Sequence, residues 1–375
     1  MRVLILSCNT GGGHNACGKA LRQAFEVAGD TCVSADALQF TSGKLSRFVS
    51  WGHTTIYRRI PKLFRFGYGY AENHPKMMHE DAAVVRLLTG GAEKLHGFLV
   101  TGGYDAVICT HVFSGLLLRK TLEVYAAPVK TAFIATDYTC SPGVANCEAD
   151  VYFIPDAALA EEFIAGGVTG EKLVASGMPV LSQFYTHGDK AIAKLALGIE
   201  PDNVHLLMMC GSMGCGPMKQ LTQALSRRLE PNCAVSVVCG TNAKLRQELE
   251  QRYRHQPNIR IYGFVQDMST LMDSADLYLT KPGGLSTSEA LAKALPMVLI
   301  DAVAGCESYN LRYFTAMGGA VTASGVRKLT DLCVELMKDP ERRADMASAL
   351  RSYRFADSAK RISQVMRDLV KGGAQ

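Results

Sequence analysis

The sequence lacks the features of a disulfide-stabilised or zinc-binding protein, although it holds 12 cysteines among 375 residues. No Cys-x-x-Cys pair occurs, and no group of cysteines and histidines has the spacing of a zinc site. Cys109, Cys210, Cys239 and Cys333 stand in apolar runs, where reduced, buried thiols are common. We therefore expect reduced cysteines and no bound metal.

Long hydrophobic runs and a targeting segment are also missing. The opening run "RVLILS" passes into polar Asn9 and Thr10, unlike a signal peptide. No run approaches the roughly 18 apolar residues of a spanning helix. The net charge of +5 is too small to indicate nucleic acid by itself. We expect a cytoplasmic protein that is able to lie on a membrane surface.

What the chain does have is an alternation of short β-rich runs with longer amphipathic stretches. In the first half the predicted strands are Arg2–Ser7, Thr31–Ala35, Ala106–Thr110, Lys130–Ala135, Val151–Ile154 and Leu173–Ser176. The predicted helices there include His14–Ala28 and Asp81–Leu99. After the turn-rich segment "GMPVLSQFYTHGDK" the pattern restarts, with strands Val204–Cys210, Val235–Cys239, Arg260–Phe264, Leu277–Thr280, Met297–Ile300 and a helix from about Met218. This alternation predicts an α/β protein with two Rossmann-like domains, over residues 1–180 and 200–352.

Each half opens with a strand, a glycine loop and a helix. The first loop, in "SCNTGGGHNACGKAL", places Gly11, Gly12 and Gly13 directly before His14, and the second is "GSMGCGP" from Gly211. Neither offers the full dinucleotide fingerprint, and glycines also serve helix–strand packing. A histidine beyond the carboxyl end of a strand is a candidate general base, although a histidine at a helix start is also common as a capping or structural residue.

A long stretch of the second half carries a more specific pattern. "NIRIYGFVQDMSTLMDSADLYLTKPGGLSTSEALAKALPMVLIDAVAGCESYN" runs from Asn258 to Asn310. It resembles the donor-binding half of the GT-B glycosyltransferases, in the branch that contains the peptidoglycan lipid-linked GlcNAc transferase and the diacylglycerol sugar transferases.

That resemblance implies a sugar-nucleotide site with no required metal. Glu289 would accept the ribose hydroxyls, the turn Gly263, Phe264 and Val265 would present backbone to uracil, and Glu307 and Asn310 would reach the hexose hydroxyls. The diphosphate would lie on glycine-loop and helix N–H groups; the residues implied there are Gly211, Ser212, Met213, Gly214, Pro282, Gly283, Gly284, Ser286 and Thr287.

The first half resembles the monogalactosyldiacylglycerol synthases and the bacterial processive diacylglycerol glucosyltransferases. "GGGHNACGKAL" matches their opening, "FIATDYTCSP" their second signature, and the likeness continues through "VYFIPDAALAEEFIAGGVTGEKLVASGMPV". One departure concerns the acceptor side: many relatives carry His and Trp shortly after the Thr-Asp pair, where this chain has Cys140, Pro142 and Cys147.

This family implies a GT-B fold, with two Rossmann-like domains facing a central cleft and a C-terminal helix, about residues 355–375 here, that returns to the acceptor-binding first domain. It implies inverting transfer of glucose or galactose from a UDP-sugar to diacylglycerol or glycosyl-diacylglycerol, without a metal. His14 would take the proton of the acceptor hydroxyl. Asp137 would orient His14 or bind the acceptor, and is the alternative base.

Residues 41–79 mix cations with aromatic side chains, holding seven Lys/Arg against the single acid Glu72. Aromatic groups at headgroup level beside cations are typical of a membrane-surface anchor. The predicted membrane-binding residues are Trp51, Arg58, Arg59, Lys62, Phe64, Arg65 and Phe66. An ordinary packed element and a single-stranded nucleic-acid site are the alternatives. We expect a peripheral protein on the inner face of the cell membrane.

Three other functions remain open. The same donor could serve another lipid carrier, such as a peptidoglycan precursor. A UDP-GlcNAc 2-epimerase shares the two-domain architecture but needs no membrane anchor. A non-catalytic sensor on a retired transferase would be expected to have lost His14 or Glu289, and both are present.

Overall fold

A computed structural model describes residues 1–9, 12–59, 69–70, 72–74, 78, 81–300, 302, 305–353 and 355–372, with backbone alone for residues 50 and 53–59. The chain forms two compact units. Unit 1 comprises Met1–Ser182, Val303–Tyr309 and Asp357–Gln375, and unit 2 comprises Gln183–Ala302 and Asn310–Ala356. The first boundary falls inside the turn-rich segment noted above; what each unit binds stays a prediction.

Unit 1 is built on a parallel sheet whose strand order is β2-β1-β3-β4-β5-β6 in the described part of the chain. The strands are β1 Arg2–Ser7, β2 Thr31–Asp36, β3 Ala106–Cys109, β4 Lys130–Ile134, β5 Val151–Ile154 and β6 Leu173–Ala175. The helices are α1 Gly12–Val27, α2 Ala37–Thr41, α3 Gly43–Arg59, α4 Ala83–Thr89, α5 Ala92–Gly102, α6 Val112–Val124 and α7 Ala160–Ala165. The central strands are buried on both faces, as their continuous apolar runs predict.

The second half of the chain adds another parallel sheet, ordered β12-β11-β10-β7-β8-β9 within the described residues. Its strands are β7 Val204–Met209, β8 Cys233–Val238, β9 Ile259–Tyr262, β10 Leu277–Thr280, β11 Met297–Leu299 and β12 Ala320–Thr322. The helices are α8 Lys190–Ala196, α9 Met218–Ser226, α10 Ala243–Tyr253, α11 Met268–Ser274, α12 Gly284–Ala292, α13 Cys306–Ala316, α14 Gly325–Lys338 and α15 Pro340–Tyr353. Counted from β7, the strands follow the Rossmann order 3-2-1-4-5-6.

The last helix, α16 (Ser358–Gly372), packs on α1 in unit 1. Ile362 and Met366 lie in the apolar core with Phe25. Arg367 donates from Nε to Asp30 Oδ2 at 2.8 Å, and the amino group of Met1 lies 2.9 Å from Asp30 Oδ1. The apolar stripe of the tail is thus covered by the first helix of the chain.

Two elements differ from the sequence prediction. The single helix expected over Asp81–Leu99 is two helices, α4 and α5, with Gly90 and Gly91 between them. A Cβ on Gly91 would lie 2.5 Å from the backbone carbonyl carbon of Phe40, so only glycine allows this approach. The strand β12 was not predicted, because its three residues are too short to show a period.

Candidate functional site

His14 is the third residue of α1 and follows the carboxyl end of β1. The strand order of unit 1 reverses direction between β1 and β3, and ligands of open α/β sheets bind at such a switch point. Gly12 and Gly13 form the first turn of α1, and Gly11 lies outside the described residues. The chain therefore places its first histidine at the expected ligand-binding edge.

Two hydrogen-bond partners fix the protonation of the half-buried His14 ring. Nδ1 lies 2.8 Å from the carbonyl oxygen of Thr110 and 3.2 Å from Oγ1 of Thr136. Because a carbonyl oxygen only accepts, Nδ1 must carry the proton. In the neutral ring Nε2 is then the unprotonated nitrogen, which is the form that a general base requires.

Burial lowers the pKa of His14, whereas the negative charge of Asp137 and the Thr110 hydrogen bond act in the opposite direction. Asp137 is half-buried and lies three residues beyond β4. The structure thus brings together the two residues that the sequence nominates for catalysis. Which of the two residues acts as the general base stays a prediction.

The pH profile should report this environment. His14 is active when neutral, so with the donor saturating, kcat/KM for the acceptor should fall as pH drops through a pKa below the ordinary value of 6.5. Asp137→Asn removes the charge that raises the pKa of His14, so the acidic limb should move to still lower pH. The measurement is kcat/KM for the acceptor against pH, at saturating donor, for both proteins. An Asp137→Asn protein inactive at every pH, with normal UDP binding, would make Asp137 the base.

Sequence reasoning missed His111 and Thr136. The ring of His111 contacts that of His14 edge-on, with centroids 4.7 Å apart and planes at 72°. Its Nδ1 accepts the N–H of Phe113 at 3.0 Å and so caps α6. His111 Nδ1 is therefore unprotonated, whereas His14 Nδ1 carries a proton. The signal for His111 was a polar pair, Thr110-His111, directly after a buried strand, and Thr136 stood in the Thr-Asp pair of the second signature.

The predicted membrane segment is described only in part. On α3, Phe48 is 67% and Trp51 64% exposed, and their ring centroids lie 6.4 Å apart. The side chains of Arg58 and Arg59, and all of Lys62, Phe64, Arg65 and Phe66, lie outside the described residues. Among the helices that the structure describes, none combines the length and apolar character needed to cross a membrane.

In unit 2 the loop after β7 is held by a neighbouring loop. Gly211 and Gly214 have φ of +73° and +56°, a region that favours glycine. A Cβ on Gly214 would lie 2.3 Å from the carbonyl oxygen of Cys239. The carbonyl oxygen of Ser212 accepts the N–H of Thr241 at 2.9 Å. The predicted phosphate loop, which includes Met213, is therefore fixed by backbone contacts with the loop that follows β8.

Helix α12 begins beside that loop, at the switch point between β7 and β10. The amides of Gly284, Leu285 and Ser286 precede the first intrahelical bond of α12, so the helix itself supplies no acceptor for them, and the N-terminus of a helix favours an anion. Thr287 differs from the prediction: its N–H donates to the Gly283 carbonyl at 3.1 Å, and its hydroxyl bonds the same carbonyl at 3.0 Å. The backbone N–H and the hydroxyl of Thr287 are therefore both hydrogen-bonded within the helix and not directed at a phosphate.

The remaining donor residues have different environments. Burial raises the pKa of Glu289 to about 8. Phe264 is 67% exposed after β9, with Gly263 and half-buried Val265 on either side of it. Asn310 is wholly buried and donates to the Pro282 carbonyl at 3.0 Å, which holds the turn before α12. Glu307 is buried in the first turn of α13. Contact of these residues with a donor stays a prediction.

Solved structures share this architecture. MurG of Acinetobacter baumannii superposes with a TM-score of 0.65 at 14% identity, covering 98% of this chain and 99% of that one. The UDP-GlcNAc 2-epimerase of Neisseria meningitidis, solved with UDP-GlcNAc, gives 0.65 at 11% identity over 98% and 100%. At such identity the likeness concerns the fold alone. The fold class is that of the GT-B glycosyltransferases, as the sequence predicted.

Sequence comparisons identify the kind of GT-B glycosyltransferase that the chain resembles. The family model of monogalactosyldiacylglycerol (MGDG) synthase matches residues 14–180, and that of the glycosyltransferase family 28 C-terminal domain matches residues 205–362. The first half of the chain is therefore similar to the monogalactosyldiacylglycerol synthases and the second half to the family 28 glycosyltransferases, and the predicted resemblance is confirmed.

Curated relatives agree with both matches. The processive diacylglycerol beta-glucosyltransferase of Staphylococcus carnosus is 27% identical over 266 residues, which cover 70% of this chain and 67% of the relative. The enzyme of the same name from Bacillus cytotoxicus is 26% identical over 369 residues, 97% and 93% of the two chains.

Proposed function

We propose that this protein transfers a hexose from a UDP-sugar to the hydroxyl of diacylglycerol or glycosyl-diacylglycerol at a membrane surface. The observation that carries the proposal is the His14 site, in which the Thr110 carbonyl fixes the proton on Nδ1 and leaves Nε2 as a base. Diacylglycerol is the acceptor in the names of the relatives, which match most of the chain.

The reaction is a single displacement. The acceptor oxygen forms a bond to the anomeric carbon of the donor as the bond from that carbon to the β-phosphate oxygen breaks. The electron pair of the broken bond leaves with UDP. Nε2 of His14 takes the acceptor proton, and the configuration at the anomeric carbon inverts.

The direct test offers the purified protein a panel of UDP-sugars with diacylglycerol in anionic vesicles, and identifies products by mass spectrometry. We expect a mono- or diglycosyl-diacylglycerol from UDP-glucose or UDP-galactose. A parallel panel holds an isoprenoid-linked peptidoglycan precursor and, without acceptor, UDP-GlcNAc. Product only on the lipid-carrier precursor, or only an epimerised sugar nucleotide, would replace diacylglycerol transfer with one of these alternatives, which relatives and family models favour less.

Chelation should leave the activity largely intact. Backbone amides at the N-terminus of α12 and in the Gly211 loop can take the place of a cation at the diphosphate. Product formation is measured after dialysis against EDTA, with Mg²⁺ and Mn²⁺ returned to separate samples. Complete loss on chelation, restored by either ion, would show that the transfer needs a metal.

We also propose that α3 and the residues after it bind an anionic membrane surface, so that the protein is peripheral on the inner face of the cell membrane. The exposed pair Phe48 and Trp51 supports this, as does the row of cations that follows in the sequence. Interfacial aromatic groups add to the roughly 1 kcal/mol that each cation contributes near an anionic surface.

The double change Phe48→Ser and Trp51→Ser should therefore release several-fold more protein from anionic vesicles in co-sedimentation. Val100→Ser is the matched control, because Val100 is 63% exposed on another helix of the same unit. High salt should weaken binding of the wild type only in part, since the aromatic contribution is not screened. Equal sedimentation of the double variant and the control would remove α3 from the membrane contact.

A further inference from the structure

The carboxyl ends of β7 and β10 meet at the switch point of the second sheet, and each is followed by glycine. Thr280, the last residue of β10, is in register with Met209, the last residue of β7. The chain continues through Cys210 to Gly211 on one side and through Lys281 to Gly283 on the other. Lys281 is the charged residue in these two turns.

The side chain of Lys281 occupies the space that both glycines leave open. A Cβ on Gly211 would lie 2.8 Å from Cε of Lys281 and 3.6 Å from Nζ. A Cβ on Gly283 would lie 3.5 Å from Cε and 3.8 Å from Nζ. The absence of side chains at Gly211 and Gly283 therefore lets the lysine lie across both turns, with its ammonium group close to each.

This position brings together positive groups of two kinds. Gly283 is the N-cap of α12 and makes no side-chain cap. The amides of Gly284, Leu285 and Ser286, which follow it, form the positive end of the helix dipole. The half-exposed ammonium and the amides are suited to one anionic group shared between them.

We propose that the Lys281 ammonium binds the diphosphate of the sugar-nucleotide donor and stabilises the charge that collects on the departing nucleoside diphosphate. This inference rests on the proposed function. As the bond between the anomeric carbon and the β-phosphate oxygen breaks, that oxygen takes the electron pair, and the ammonium donates a hydrogen bond to the phosphate without giving up its proton. Lys281 thus supplies, from the chain itself, a positive charge at the leaving group.

The test compares UDP with uridine, which has the same base and ribose but no phosphate. Calorimetry should show that Lys281→Met weakens UDP binding about 10- to 100-fold, the worth of a charge-assisted hydrogen bond, and leaves uridine binding unchanged. Lys281→Arg should recover part of the UDP affinity. Lys219→Met is the control: Lys219 lies on α9 of the same unit, 51% exposed and paired with Glu248. It should bind both ligands as the wild type does.

Each other outcome has a definite meaning. Equal UDP affinity of Lys281→Met and the wild type would overturn the proposal, and so would a parallel loss of UDP and uridine, which would indicate a purely structural lysine. Failure of the wild type to bind UDP would instead overturn the proposed function. Turnover at saturating donor adds a second readout, since a leaving-group contact lowers kcat as well as affinity.

Discussion

Replacing His14 with alanine should lower kcat by roughly 10²- to 10⁴-fold, the usual contribution of a general base, with UDP affinity little changed. The reason is the fixed tautomer: the Thr110 carbonyl holds the proton on Nδ1, so Nε2 is the nitrogen that can accept the acceptor's proton. Initial rates with diacylglycerol vesicles give kcat, and calorimetry gives the UDP dissociation constant.

His111→Asn is an informative companion variant. Asparagine can still cap α6, because its side-chain oxygen accepts a helix N–H, but it removes the ring that contacts His14. Its thermal stability should stay close to that of the wild type, and its kcat should fall less than that of His14→Ala. Near-normal turnover of His14→Ala would transfer the base role to Asp137. An equal loss of UDP affinity and turnover would make His14 a phosphate contact.

The strands and glycine loops could be predicted from the sequence because their signals are local. An apolar run such as Leu277–Thr280, followed by Lys-Pro-Gly-Gly, identifies a strand end without knowledge of its neighbours. The same holds for Arg2–Ser7 before the triple glycine. The order of the strands across each sheet could not be predicted from the sequence, because it depends on long-range pairing.

Several residues of the candidate site could not be predicted for the same reason, because the order of the strands brings them together. Thr110 and Thr136 lie 96 and 122 residues from His14 along the chain, and they meet it because β3 and β4 follow β1 in the sheet. Lys281 reaches Gly211 only because β10 pairs with β7. Family resemblance nominated residues by motif, whereas these neighbours are set by packing. The break at Gly91 belongs to the same class, since its cause is the backbone of Phe40.

Glu289→Ala should weaken UDP binding by about 1.5–3 kcal/mol, roughly 10- to 100-fold, because the two ribose hydroxyls would lose a charged acceptor. Glu289→Asp should be milder, since it keeps the charge on a shorter side chain. The affinity of the wild type should also depend on pH. With a pKa near 8, the carboxyl is largely protonated at neutral pH in the free protein.

Hydroxyl donors favour the ionised carboxylate, so UDP binding should lower the pKa of Glu289 and release a proton. The dissociation constant should therefore fall as pH rises from below 7 through 8 and level off above it. Glu289→Gln, which cannot titrate, should show a flatter profile over the same range. Calorimetry in two buffers of different ionisation enthalpy counts the released protons. Unchanged UDP affinity in Glu289→Ala would remove Glu289 from the donor site, while a loss of affinity with no proton release would retain it as a residue that is already ionised before the nucleotide binds.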